Sequence, residues 1–442
     1  MRSLLVVFLW LCSSLVLWGQ SEFHLPAGKS KVVIPFQMIN NLVFIPITVN
    51  GVTLTFLLDT GVEETLLFSL EDQEQIPFYH VEKLKLKGLG SNEAVEGYKT
   101  SKNILNANGY KDMDHDIYVV LDQEFNFSSQ VGIPVNGIIG YHFFKNHPIE
   151  IDYTRKRVVV YDSGAKVLTK RLKRHFTQET ITILDQKPYY TSLVVQKGHE
   201  IPSRVLIDTG NSDALWIFKN KTRHLQVPEP NLPDYLGRGF SGAIYGLRGR
   251  IDRFQFGGIQ LEYPIVTMPD STAFAGVHFV TERVGSIGGE VLSRFDVVFD
   301  YEHGRLYTKP NDKVTEPFRF NMSGIEIEHG GLEWTTPLYD SASDGIKIYT
   351  QDREETQERN VKIRFELKPI FTIANVRLGS QAEQVRVKQG DRLLRINGRM
   401  ARDLTIEKIN DALRSEEGKK IELELERQGR SFVVTIVLKS IL

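Results

Sequence analysis

Residues 42–61 read LVFIPITVNGVTLTFLLDTG, and residues 188–210 read PYYTSLVVQKGHEIPSRVLIDTG. Each stretch is an apolar run, a two-residue turn (Asn50-Gly51, then Lys197-Gly198), and a second apolar run that opens into Asp-Thr-Gly. Asn-Gly between two such runs is a strong hairpin signal. The plan continues downstream at matched offsets. Gly88-Leu89-Gly90 begins 29 residues after Asp59, and Gly237-Arg238-Gly239 begins 29 after Asp208. Gly137-Ile138-Ile139-Gly140 starts 78 residues after the first aspartate, and Gly285-Ser286-Ile287-Gly288 starts 77 after the second. Ile151-Asp152-Tyr153 and Phe299-Asp300-Tyr301 place their aspartates 93 and 92 residues on. A lone Asp-Thr-Gly is weak evidence, but two copies inside parallel strings of landmarks establish an internal duplication.

Paired aspartates at the ends of duplicated strands suit one chemistry. Two carboxyl groups about 3 Å apart cannot both ionise, so they share a proton over neutral and mildly acidic pH. The ionised member can take a proton from a water while the protonated member polarises an amide carbonyl. Neither metal nor cofactor is required. Thr60 and Thr209 can donate hydroxyl hydrogen bonds that lock the two loops together. Gly61 and Gly210 permit a tight turn, with N–H groups within reach of the carboxylates. Asp59 and Asp208 are therefore the candidate catalytic pair, with Thr60, Gly61, Thr209 and Gly210 as their supports.

The string of strand-Asp-Thr-Gly, a glycine-rich segment, Gly-Ile-Ile-Gly and Ile-Asp-Tyr resembles retropepsin-like aspartic proteases. Two such units followed by a PDZ-like segment resemble bacterial exported aspartyl proteases of that architecture. The resemblance implies a mainly β chain: two retropepsin-like closed β lobes related by pseudo-twofold symmetry, over residues 25–165 and 166–312. It also implies flap hairpins over substrate, at Gly88 and Gly90 in the first half and at Gly237, Gly239 and Gly242 in the second. The chain departs from the usual pattern after Asp-Thr-Gly, with Val62 and Asn211 where Ser or Ala is common. Glu63 and Glu64 are expected on the solvated far side of their loop.

The third segment, 318–442, has a different grammar and is expected to be an α+β PDZ-like domain. Strand Phe371–Val376 precedes Gly379-Ser380-Gln381-Ala382 and then Gly390-Asp391-Arg392-Leu393-Leu394-Arg395-Ile396-Asn397-Gly398. Thr405 caps a helix that presents Ile406, Ile409 and Leu413 on one face and ends at Gly418. A closing hairpin turns at Gln428-Gly429. A PDZ domain takes a peptide C-terminus as an added strand beside such a helix. However, no carboxylate-binding loop is recognisable, and Gln351–Arg359 inserts charge where one would lie. Asn311–Glu316 reads as a polar linker.

The 442 residues carry 54 basic and 55 acidic side chains, a net charge of -1, which offers no electrostatic footprint for nucleic acid. Lys170-Arg171-Leu172-Lys173-Arg174 reads as a solvated strand or linker. Residues 1–19 read as a signal peptide, with Arg2 ahead of a short apolar run and Gly19 at the cleavage position, so the protein is expected to be exported, periplasmic or extracellular. Membrane contact follows only if that segment stays uncleaved. Cys12 is the single cysteine, so the mature chain would have no disulfide and no thiolate chemistry. Asp112, Asp114, His115 and Asp116 fail the calcium-loop pattern and read as a solvated acidic loop. Gly210-Asn211-Ser212-Asp213 faintly echoes a serine nucleophile loop but lacks its following glycine. The sequence thus points to an aspartic endopeptidase acting on polypeptide, with a PDZ-like module for recruitment or regulation. The alternative is a non-catalytic exported peptide-binding protein on the same scaffold.

Overall fold

The computed structural model describes residues 22–68, 76–86, 95–120, 127–218, 225–239, 242–274, 279–335, 338–340, 361–363 and 366–442. The expected signal segment, Cys12, Gly88, Gly90 and the Gln351–Arg359 insertion lie outside them. The fold is mainly β, in several sheets.

Strands Leu42–Val49 and Val52–Leu58 form the first hairpin, in register from Phe44↔Leu57 to Val49↔Val52. Its turn residues Asn50 and Gly51 take φ of 47° and 100°, the positive values a two-residue turn demands. Val52–Leu58 then pairs in parallel with Gly137–Ile139, which also pairs antiparallel with Thr65–Leu67. The chain therefore leaves Leu58, turns through Asp-Thr-Gly, and returns on the far side of the Gly137–Ile139 strand. The second half repeats this order of pairings. Lys187–Gln196 and His199–Ile207 make the hairpin, Arg283–Ile287 runs parallel to its second strand, and Leu215–Ile217 pairs antiparallel with Arg283–Ile287. A Cβ on Gly137 would sit 2.5 Å from the Leu66 carbonyl, and one on Gly285 1.9 Å from the Trp216 carbonyl. Both crossings need glycine at that point.

The two halves are joined by hydrogen bonds. Ile149–Asp152 pairs antiparallel with Phe295–Asp300, matching Ile149 with Phe299 and Ile151 with Val297. Lys31–Pro35, Arg157–Tyr161, Arg305–Pro310 and Thr177–Leu184 extend this sheet on both sides. Beneath it, Phe143, Phe144 and Phe299 are fully buried, and Phe144 stacks on Tyr301 at 5.5 Å. Each such ring contributes on the order of 2–3 kcal/mol by leaving water.

Three expectations are corrected here. The basic cluster lies in a helix, Lys166–His175, because Leu168 and Leu172 bury against Val298 and Tyr307. Arg171 also pairs with the buried Glu150 at 2.5 and 2.6 Å. The acidic segment belongs to strand Tyr110–Val120, where Asp112 and His115 are buried. The Asn311–Glu316 segment is a capped 3-10 turn at Asp312–Thr315, tied to Arg294 through the carbonyls of Lys313 and Glu316.

At the C-terminus the strand order is Ile325–Thr335, Glu366–Val376, Arg392–Ile396, Lys420–Arg427, Arg430–Val437. Helix Ile406–Leu413 begins at Thr405, whose hydroxyl accepts from Lys408 N, and buries Ile406, Ile409 and Leu413. It ends at Leu413 rather than at Gly418, which instead takes φ 81° in the turn beyond.

Candidate active site

The Val52–Leu58 and His199–Ile207 strands deliver Asp59 and Asp208 to one point. Four hydrogen bonds lock the loops together. Thr60 Oγ1 donates to the Ile207 carbonyl at 2.6 Å and accepts from Thr209 N at 3.1 Å. Reciprocally, Thr209 Oγ1 donates to the Leu58 carbonyl at 2.7 Å and accepts from Thr60 N at 3.0 Å. Both threonines are buried, so each hydroxyl uses its one proton and one lone pair within the protein. Gly61 N donates to Asp59 Oδ1 at 2.7 Å, and Gly210 N to Asp208 Oδ1 at 3.2 Å. A Cβ on Gly210 would lie 2.2 Å from Cγ and Oδ2 of Asp59. One on Gly61 would lie 2.9 Å from Asp208 Oδ1 and 3.0 Å from Asp59 Oδ1. Each loop passes directly against the other's carboxyl group.

The two carboxyl groups hydrogen-bond to each other. Burial, then the charge of Asp208, pushes Asp59 far above the usual carboxylate range. Burial also raises Asp208, but Arg283 opposes it, followed by the Gly210 N–H and the bond from Asp59. Both carboxyls are raised and titrate as one pair. One proton and one charge shared by the pair is the state that can both deprotonate a water and donate to a carbonyl.

The pair faces a cavity of about 1000 Å³. Hairpin Asn231–Gly239/Gly242–Arg250 forms part of its wall through Tyr235, Gly237, Ile244 and Tyr245. Gly237 takes φ 128° there, where the register shifts between Tyr235 and Gly237. Gly239 and Gly242 face each other across the hairpin's end. In the first half, Tyr79–Leu86 pairs with Val95–Ala107, and Gly88 and Gly90 lie outside the described residues. Glu63 and Glu64 line the cavity; they are not on a solvated far side. Gln186 donates to Glu63, and burial followed by the charge of Glu63 raises the pKa of Glu64. Asn211 follows Gly210 with its Nδ2 buried and without a hydrogen-bond partner.

Sequence reasoning missed a buried ionic cluster in the lining of this cavity. Arg248 bridges Asp213 and Asp234 at 2.8 and 2.7 Å, and Arg377, from the C-terminal segment, reaches Asp234 at 3.4 Å. Arg248 and three hydrogen bonds hold the Asp213 carboxyl below its usual range despite burial. Glu326 and Glu290, in the same surroundings, are each pushed up to about 7 by burial. The only advance signal was Asp213 standing three residues after Gly210. A second missed chain runs Thr65 Oγ1 to His115 Nε2 at 2.7 Å and His115 Nδ1 to Asp112 Oδ2 at 2.7 Å. It has the connectivity of a nucleophilic triad, yet Thr65 and His115 are 0% exposed. No substrate carbonyl can reach that hydroxyl, so the chain is structural.

Residues 340–426 match the family model of the PDZ domain. No curated protein matches the chain. Among solved structures, the chain is similar to the aspartic proteinase from Irpex lacteus, with TM-score 0.43 and 12% identity over 65% of this chain and 99% of that one. A likeness that distant leaves the chemistry to be read from the site itself. The PDZ match starts inside the C-terminal sheet, since strand Ile325–Thr335 precedes it.

Glu326, Ile327 and Glu328 of that strand, together with Ala374, Asn410 and Arg414, line the same cavity as the carboxyl pair. Helix Phe127–Val131 of the first half packs on strand Ile325–Thr335. A Cβ on the adjoining Gly132 would meet Ile406 Cγ2 at 3.6 Å and His329 Cδ2 at 3.9 Å.

Proposed function

We propose that this protein is an aspartic endopeptidase that hydrolyses peptide bonds with a water activated by Asp59 and Asp208. The observation that carries the reading is the contact between the two carboxyl groups, held by reciprocal threonine bonds at the floor of a cavity large enough for an extended peptide. In the proposed mechanism Asp208, ionised, takes a proton from the water as its oxygen attacks the scissile carbonyl. Asp59 donates its proton to the carbonyl oxygen. Collapse of the tetrahedral intermediate returns a proton to the amine as it leaves, and the pair again shares one proton. The Gly61 and Gly210 N–H groups hold the carboxyl orientations, which the chemistry needs before substrate arrives.

In this reading residues 25–165 and 166–312 act as two lobes related by a pseudo-twofold axis between Asp59 and Asp208. The repeated order of strand pairings supports it. The hairpin through Gly237, Gly239 and Gly242, and its counterpart carrying Gly88 and Gly90, would close over the peptide backbone. The 318–442 segment would recruit or regulate through a bound peptide C-terminus, and residues 1–19 would direct export. N-terminal sequencing of the mature protein tests the last point. Catalysis is tested by cleavage of an unstructured protein across pH 3–8 with wild type, Asp59→Asn and Asp208→Asn. Loss of cleavage in both variants is expected. Retained cleavage in either would sink the paired-carboxyl mechanism, and no cleavage by wild type would favour the peptide-binding alternative.

A further inference from the structure

Arg283 is the first residue of strand Arg283–Ile287, in register with the strand that ends at Asp208. Its side chain is half-buried and strongly constrained. Nε donates to the Gly285 carbonyl at 3.2 Å, Tyr189 hydrogen-bonds to it, and the guanidinium lies over the rings of Phe218 and Phe279 at 5.2 and 4.9 Å. Those rings stack on each other at 4.8 Å. A planar cation pinned on aromatic faces is held in one orientation at low entropic cost.

Arg171, Arg248, Arg294 and Arg377 each lie within 4.0 Å of at least one carboxylate. Among the described residues no carboxylate comes that close to Arg283, nor to Lys187, which stands on the same wall of the cavity. Asp185, at the same hairpin turn as Lys187, lines the cavity as well without reaching either cation. Arg283 interacts with Tyr189 and then with the charge of Asp208, and Lys187 acts on both carboxyl groups of the pair, which together bear only one charge. Burial is the largest influence on Arg283, disfavouring its charged form. A half-buried, unpaired guanidinium at a cavity wall is costly unless an anion arrives there. Glu63, Glu64 and Glu328 line the cavity as well, and Glu63 accepts from Gln186, the neighbour of Lys187.

We propose that Arg283 and Lys187 form a carboxylate subsite beside Asp208, so that the favoured substrates are peptides carrying a carboxylate close to the scissile bond. The subsite rests on the proteolytic reading of the cleft and narrows it to a substrate class. The carboxylate can come from an internal Asp or Glu side chain or from the peptide's own C-terminus. The rings of Trp216, Phe274 and Phe279, which line the same wall, would pack the aliphatic part of the residue that carries it.

The test is a matched peptide set cleaved by the full-length mature protein. One pair exchanges Glu for Gln beside the cut, and a second exchanges a C-terminal acid for its amide. The acid member of one pair is expected to have at least a tenfold higher kcat/KM, falling to twofold or less in Arg283→Gln and recovering in part in Arg283→Lys. The ratio within a pair cancels any effect of Arg283 on the titration of Asp208. The discriminating pair identifies the source of the carboxylate, and ratios within twofold for both pairs in wild type overturn the subsite. Should Arg283→Gln fail to fold, Lys187→Gln must lower the ratio at least threefold for the proposal to stand. If wild type cleaves no peptide, the catalytic reading has failed and the subsite is judged by binding. The same peptides, labelled, are titrated on Asp59→Asn with and without Arg283→Gln. Tenfold tighter binding of the acid, abolished by Arg283→Gln, supports the subsite; equal or unsaturable binding overturns it.

Discussion

Replacing Asp59 by Asn should change how stability depends on pH, with no substrate needed. Burial and Asp208 raise the Asp59 carboxyl from its ordinary 3.8 to about 8. The folded-state value lies above the unfolded one, so between those limits the native protein holds a proton that the unfolded chain has lost. The resulting stability is fully present below about pH 4 and is lost as pH rises through about 8. One proton corresponds to about 1.4 kcal/mol per pH unit, so the wild type should lose up to about 5 kcal/mol over the window. That is a large share of the 5–15 kcal/mol typical of a domain. Asp59→Asn cannot ionise and leaves Asp208, itself raised by burial, without the neighbouring carboxyl, so the variant should lose less stability than wild type between pH 4 and pH 8. Glu290 and Glu326 titrate in the same direction, toward values of about 7, but they do so in both proteins and cancel in the difference. The assay is urea unfolding followed by Trp216 fluorescence in a Trp334→Phe background lacking residues 1–19, which hold Trp10 and Trp18. Trp216 donates to Asp213 at 2.8 Å in the cavity wall, whereas Trp334 is 68% exposed in the C-terminal sheet. Parallel curves for wild type and Asp59→Asn from pH 4 to 8 would refute the shared proton.

Thr60→Val and Thr209→Val each delete two buried hydrogen bonds and strand a backbone N–H and a carbonyl, so each should cost about 2–5 kcal/mol in urea unfolding; a loss below about 1 kcal/mol would show that the loops do not depend on them. Gly210→Ala places a methyl 2.2 Å from the Asp59 carboxyl and should lower peptide turnover at least about 100-fold with the circular dichroism unchanged. Arg377→Met leaves Asp234 with Arg248 as its remaining cation, so amide exchange in Asn231–Arg250 should quicken, with a local loss of about 3 kcal/mol; unchanged exchange would uncouple that hairpin from the C-terminal segment. Activity itself should decline as pH rises through about 8, when Asp59 gives up its proton, and a rate that still climbs at pH 9 would contradict a neutral Asp59.

The elements visible in the sequence are those whose signal is local and repeated. Asn50-Gly51 and Lys197-Gly198 announce their hairpins because positive φ is a property of the turn itself, and the matched offsets of Gly137 and Gly285 mark crossings that tolerate no Cβ. Phase and partner identity were not legible. In Tyr110–Val120 a period-two reading puts Asp112, Asp114 and Asp116 on one face. Register shifts against Val95–Ala107 near Asn103 change the phase instead, and Asp112 and His115 turn inward together. Helix Lys166–His175 has only two buried leucines and no side-chain cap. Its best contact, Arg171 with Glu150, lies 21 residues away in sequence. Arg283 has no local signature, because its meaning comes from Asp208 and two phenylalanine rings brought up by other elements. The misplacement of Glu63 and Glu64 has the same origin: Gln186, from the other half, meets Glu63 across the cleft.

The C-terminal segment is part of the cleft by physical necessity as well as by proximity. Among the described residues its strand Ile325–Thr335 pairs only with Glu366–Val376, at the edge of the sheet, and an open edge beside helix Ile406–Leu413 is where a PDZ domain adds a peptide strand. In this protein helix Phe127–Val131 packs on that strand, Gly132 approaches Ile406 and His329, and Asn410 donates to Asn40 Oδ1 at 3.2 Å. A peptide entering that groove must therefore displace a segment of the first half. Arg377 sits among groups that cannot be left unpaired: Asp234 and Arg377 are 8% exposed each, and Arg248 ties them on to Asp213, three residues beyond Gly210. Moving the segment away would expose or orphan this cluster, at several kcal/mol for each charge stranded. A peptide entering the groove would thus displace contacts from the first half, and any shift that also carried Arg377 away would disturb the cavity lining at Asp234.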